Sequence, residues 1–199
     1  GNSGDLNPGD VEWMTAGRGI IHSELPHPDF YDSGGVMHGF QIWVNLPAKD
    51  KMMQPRYQDI PSDELPVVES VDGKIWAKVV AGEAMDAKAV IDIVIPIQFI
   101  HYRMKEDSNL IHKISSDLNG MIYMFGGQGE VSGKVIEDGQ LIILDEGDEV
   151  EISSKDGAEF LILAGPEINE PIARYGPFVM NTRQEIHQAV MDFQSGNLA

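Results

Sequence analysis

The 21 glycines and 11 prolines of this chain fall between short runs of Val, Ile, Leu and aromatic residues. That is the punctuation of an all-β sandwich or barrel, since each such residue ends or bends an element before a long helix can form. Residues 36–46 read as a strand with His38, Phe40, Ile42 and Val44 on one face and Gln41, Trp43 and Asn45 on the other, closed by Leu46-Pro47. Tyr57 to Leu65 is polar and flanked by proline, and reads as a loop or short helical turn before a strand over Lys74 to Val80. Further strands are expected over 89–95, 97–102, 120–125, 130–135, 140–144, 149–153 and 159–164. Gly126-Gly127, Asp138-Gly139, Glu146-Gly147 and Asp156-Gly157 separate the last five, and the whole pattern describes a β-barrel.

The exception is the C-terminus. Thr182-Arg183-Gln184-Glu185 fits a capping box, and Ile186, Ala189, Val190 and Phe193 follow at i, i+3, i+4 and i+7 up to Gly196. A helix of that length is marginal alone, so its stripe must dock. His187 lies off the stripe and is expected to face solvent.

Chemistry concentrates early. After the bend Ala16-Gly17-Arg18-Gly19, His22 and Glu24 stand two residues apart. In an extended segment both point to one side, and an imidazole nitrogen with a carboxylate oxygen suits Fe, Mn, Ni or Zn. Taken alone, the pair reads better as an ordinary hydrogen-bonded couple on a solvated strand than as a metal site. Gln41 is either a hydrogen-bond donor behind that pair or a partner inside the barrel. Arg18 fixes the bend, Trp13 and Met14 fill the interior, and Met52-Met53 pack. His101 and His112 have no paired ligand nearby in sequence and are expected to be hydrogen-bonded or at the surface.

Composition narrows the partners. Thirty-two acidic against 14 basic residues give a formal charge of −18, a field that repels nucleic-acid phosphates. The short basic groups Lys49-Asp50-Lys51 and Arg103-Met104-Lys105 are diluted by acids, and the acidic stretch from Glu137 to Glu159 reads as a solubilising face without EF-hand spacing. With no cysteine, disulfides and thiolate metal sites are excluded. No apolar run approaches membrane-span length and no secretory pattern stands at the start, which sets an expectation of cytoplasmic or nuclear residence.

Three runs carry a resemblance. GDVEWMTAGRGIIHSELP from Gly9, HGFQIWVNLPAKDKMMQPRYQDI from His38 and YGPFVMNTRQEI from Tyr175 closely resemble the pirin family of double-barrel cupins. The resemblance implies a partial N-terminal cupin barrel over 1–47, a bridging segment over 48–74, a C-terminal cupin barrel over 75–175 and a helix within 176–199. It also implies that His22 and Glu24 are the third and fourth ligands of a metal site holding Fe(II) or another divalent ion. The family's first metal motif, His-Pro-His-Arg-Gly, is absent, and no His-x-His occurs. The ligand set read from this sequence is therefore incomplete, and the chain reads as a pirin without most of its first-barrel strands, either a partial sequence or a genuinely short protein.

Two activities follow from the resemblance for a complete protein. One is a non-haem iron dioxygenase of the quercetin 2,3-dioxygenase type acting on a flavonol-like molecule, with Glu24 doubling as the base for the enolic proton. The other is an iron-dependent transcriptional cofactor acting through protein contacts. The resemblance leans to a monomer without direct nucleic-acid or membrane binding. With two ligands missing, the chain by itself would be inactive, hold iron weakly and tend to aggregate.

Overall fold

The computed structural model describes residues 3–198, and their contacts divide them into two units. One comprises the described residues up to Asn7, Glu12–Asp59 and the chain from Ile168; the other comprises Pro8–Val11 and Ile60–Glu167. Strands dominate, with one long helix at the C-terminus, as the glycine and proline spacing implies.

The first unit opens with β1 (Val11–Thr15), α1 (Pro28–Ser33), α2 (Ala48–Lys51) and β2 (Arg56–Ile60), and β1 pairs with β2. Glycines shape the bend after β1. Gly17 has φ of +53°, and a Cβ there would overlap the Met53 carbonyl oxygen. That oxygen instead accepts the Arg18 N–H at 2.9 Å, while the Gly19 N–H returns to Ala16 O at 3.0 Å. The close approach of two backbones is possible only because no side chain intervenes.

Two expectations fail in this unit. Residues 56–60 form β2 rather than a loop, because β1 offers them a ladder partner and Pro61 stops them. Residues 36–46 have the alternation of a strand yet belong to no ladder among the described residues. Side-chain pattern alone does not make a strand; the backbone groups need a neighbour. Val36, Met37 and Trp43 accordingly stay exposed. The segment is anchored at its end by Lys51, 6% exposed, whose Nζ donates to Asn45 Oδ1 at 2.6 Å. Burial pushes the Lys51 ammonium below its usual range, against the opposing pull of Glu170 and Glu185.

The second unit holds β3 (Val67–Glu69), β4 (Ile75–Ala81), the small pair β5 (Glu83–Ala84) and β6 (Ala87–Lys88), β7 (Gln98–Met104), β8 (Ser108–Lys113) and β9 (Leu118–Val131). It continues with β10 (Lys134–Glu137), β11 (Leu141–Ile143), β12 (Glu149–Ser154) and β13 (Ala158–Pro166). The main sheet runs β3-β4-β7-β13-β9-β12-β8, with β10 and β11 also on β9. Period-two alternation sends Ala77 and Val79 of β4, Ile100 and Tyr102 of β7, Ile152 of β12 and Phe160 and Ile162 of β13 into one core, each fully buried.

The 14-residue β9 joins the halves of this sheet. Its first part pairs with β13 and β11, its last with β10 and β12. Gly126-Gly127, expected to separate strands, lies inside β9 beside a register shift opposite Glu159 and Phe160, and Gly127 has φ of +72°. The glycines bend the strand through a bulge without ending it. The expected strand 130–135 is instead a hairpin: Ser132 and Gly133, with φ of 46° and 82°, turn β9 into β10. Residues 89–95 form no strand, because both edges of β4 are already taken by β3 and β7 and Pro96 follows. β8 was not among the expected strands; its alternation is masked by polar inward residues, Ser108 and His112.

Beyond Ile168 the first unit resumes with β14 (Ala173–Tyr175) and β15 (Phe178–Met180), a hairpin, and α3 (Arg183–Ser195). Both halves of the capping box are present, Glu185 N–H to Thr182 Oγ1 at 3.2 Å and Thr182 N–H to Glu185 Oε2 at 2.7 Å, and Gly196 ends the helix in the left-handed conformation. The stripe Ile186, Ala189 and Val190 is half-buried, and Phe193 meets Phe178 edge-on at 6.3 Å. His187 is exposed.

Candidate metal centre

His22 and Glu24 follow the glycine bend in a segment that belongs to no ladder, yet they stand together, with His22 Nδ1 3.6 Å from Glu24 Oε1. Their side chains are 34% and 57% exposed, so the pair is open to solvent. Gln41, from the unpaired segment 36–46, donates its amide to both carboxylate oxygens of Glu24, at 3.2 and 3.1 Å. A carboxylate held by two such contacts has its remaining lone pairs aimed in a defined direction.

The structure adds a residue that the sequence reading passed over. Glu12, on β1, places a carboxylate oxygen so that one donor atom from each of Glu12, His22 and Glu24 lies within 4.8 Å of the others. Metal–oxygen and metal–nitrogen bonds of about 2.0–2.2 Å put donors on a common ion roughly 3–4.4 Å apart. The three groups are therefore spaced for one divalent ion with little adjustment. The signal was present: Glu12 is the charged member of the otherwise uncharged run Val11–Thr15.

The charge around these groups is negative. Partial burial of its carboxyl is the first cause that raises the Glu12 pKa, although the residue as a whole is exposed; the charges of Asp59 and Glu24 raise it further and His22 opposes them. The same carboxylates, after burial, push the Tyr57 phenol up. The coupled carboxylates of Glu12, Asp59 and Glu24 create a field that a cation would relieve.

The other histidines lie elsewhere. His101 Nε2 sits 2.8 Å from Glu159 Oε1, which also accepts from Arg103 Nε at 2.6 Å. His112 is 3% exposed, with its Nδ1 2.9 Å from the Tyr102 hydroxyl and its Nε2 3.1 Å from Gln98 Oε1. Both are hydrogen-bonded and stand apart from any cluster of potential ligands among the described residues. Arg18 meets Met53 through its backbone, while Met52 is exposed.

The pirin C-terminal cupin domain matches residues 99–199, and a second family model, described as Pirin, matches residues 1–44. This chain belongs to the pirin family. Its similarity to pirin from Homo sapiens is 36% identity over 98% of this chain and 67% of that protein. A putative quercetin 2,3-dioxygenase of Pseudomonas aeruginosa is 39% identical over the whole chain and 71% of the relative. Among solved structures, a quercetin 2,3-dioxygenase from Acinetobacter baumannii superposes with a TM-score of 0.91 at 34% identity, covering 96% of this chain and 67% of that one. The fold is thus the all-β pirin bicupin fold with its C-terminal helix. No helix among the described residues is long and apolar enough to cross a membrane.

Proposed function

We propose that this chain belongs to a protein that, with its full ligand set, is a metal-dependent dioxygenase of the quercetin 2,3-dioxygenase type, in which His22 and Glu24 are two of the groups that hold the metal, Fe(II) by preference, and a flavonol-like molecule is the substrate. The observation that carries the reading is the convergence of an imidazole and carboxylates on one solvent-open point, in a chain similar over most of its length to proteins named for that activity. The alternative is an iron-dependent regulatory role through protein contacts; an open, apolar cavity around the metal would favour turnover, and a metal sealed from flavonol-sized molecules would favour sensing.

A bound metal would supply Lewis-acid polarisation of the flavonol oxygens and a place for O2. The residues of this chain do the rest. His22 and Glu24 bind, Gln41 fixes the Glu24 carboxylate through both oxygens, and Glu24 takes the enolic proton. Glu24→Gln removes the base while keeping the shape, so flavonol consumption should fall roughly 100-fold or more at equal metal loading. The measurement is quercetin bleaching after anaerobic loading with Fe(II), with metal content determined on the same samples. Full turnover by Glu24→Gln in the protein extended to carry the family's first metal motif would remove Glu24 as the base, and no turnover by that iron-loaded extended protein would remove the dioxygenase reading.

A further inference from the structure

The sequence and the family resemblance provide two ligands; the structure brings a third acidic group to the same point. We infer that Glu12 is a direct metal ligand in this protein, adding a second carboxylate oxygen beside the donors of His22 and Glu24. The inference rests on the reading of His22 and Glu24 as metal-binding and adds a ligand to it.

Geometry is the first support. The three donor atoms lie within 4.8 Å of one another, about twice a metal–ligand bond. The second is rigidity. Glu12 alone of the three stands in a strand, where β1 pairs with β2, so its backbone is fixed by a hydrogen-bonded ladder. The third is compensation. Gln41 serves both oxygens of Glu24, whereas the Glu12 carboxylate faces the negative charges of Asp59 and Glu24, with His22 opposing them. A carboxylate set between two others is an arrangement that a bound cation stabilises. A donor set of two oxygens and one imidazole nitrogen selects a hard or borderline divalent ion such as Mn2+ or Fe2+.

The test is Mn2+ affinity of the 199-residue protein, read from the electron paramagnetic resonance signal of free Mn2+, for the parent, His22→Ala, Glu12→Gln and Glu12→Asp. His22→Ala should weaken binding, and unchanged affinity there, or no saturable binding by the parent, would remove the underlying site. With that site intact, Glu12→Gln should weaken Mn2+ binding roughly 10-fold or more, since even partners outside the ligand shell cost that much. An affinity within twofold of the parent would overturn the inference. Glu12→Asp keeps the charge but withdraws the oxygens by one methylene. A ligand role predicts weakened binding for it too, and affinity equal to the parent's would reduce Glu12 to an electrostatic neighbour. Thermal melting of each variant confirms that a loss of affinity is not a loss of fold.

Discussion

Gly17 shows how one residue holds the candidate centre in place. Its positive φ and its lack of a side chain let the Arg18 N–H reach the Met53 carbonyl and fix the bend that leads from β1, with Glu12, to His22 and Glu24. Gly17→Ala should destabilise the protein by about 1–3 kcal/mol, from the left-handed backbone and the displaced Met53 segment. Urea unfolding checks this, and an unchanged midpoint would show that the bend tolerates a side chain. His22, Glu24 and Gln41 were legible as candidates because polar groups at i and i+2, and on an alternating segment, advertise a shared side. Glu12 was not. It stands ten residues before His22, and only the return of the chain through Gly17 and Gly19 brings it close, a distance no local periodicity encodes.

Among the elements, β7 and β8 carry a buried polar chain of Tyr102, His112 and Gln98. Burial pushes the His112 imidazole down to about 4 from an ordinary 6.5. The unfolded chain therefore takes up a proton near pH 6.5 and the folded chain only near pH 4. Stability is fully present above the upper value and falls by about 3 kcal/mol as pH drops through that window. Unfolding followed from pH 7 to 4 should show this slope, and His112→Gln should flatten it; an identical slope in the variant would place the proton uptake elsewhere. Strand recognition succeeded where apolar alternation coincided with an available sheet edge, as in β4, β7, β12 and β13. It failed over 36–46 and 89–95, where the pattern exists but pairing does not, and at β8, where buried Ser108 and His112 imitate surface residues. Helix α3 was readable because its start signal, Thr182 with Glu185, is entirely local.

For the whole molecule, charge is the dominant long-range term. A formal −18 on 199 residues makes compaction work against self-repulsion, which added salt screens. The melting temperature should therefore rise between roughly 20 mM and 300 mM NaCl as the screening length falls below about 10 Å; a flat or falling melting temperature would mean that the acidic residues are already compensated locally. The all-β class and the C-terminal helix were readable from glycine, proline and capping spacing, whereas the strand connectivity depends on contacts far apart in sequence. β9 is the clearest case, since it belongs to both halves of the second unit's sheet. Because one continuous backbone supplies hydrogen-bond partners to β13, β11, β10 and β12, neither half can open without taking its share of that backbone out of register for the other. The second unit should consequently behave as a single foldon, with the amides along β9 exchanging with solvent only through global opening.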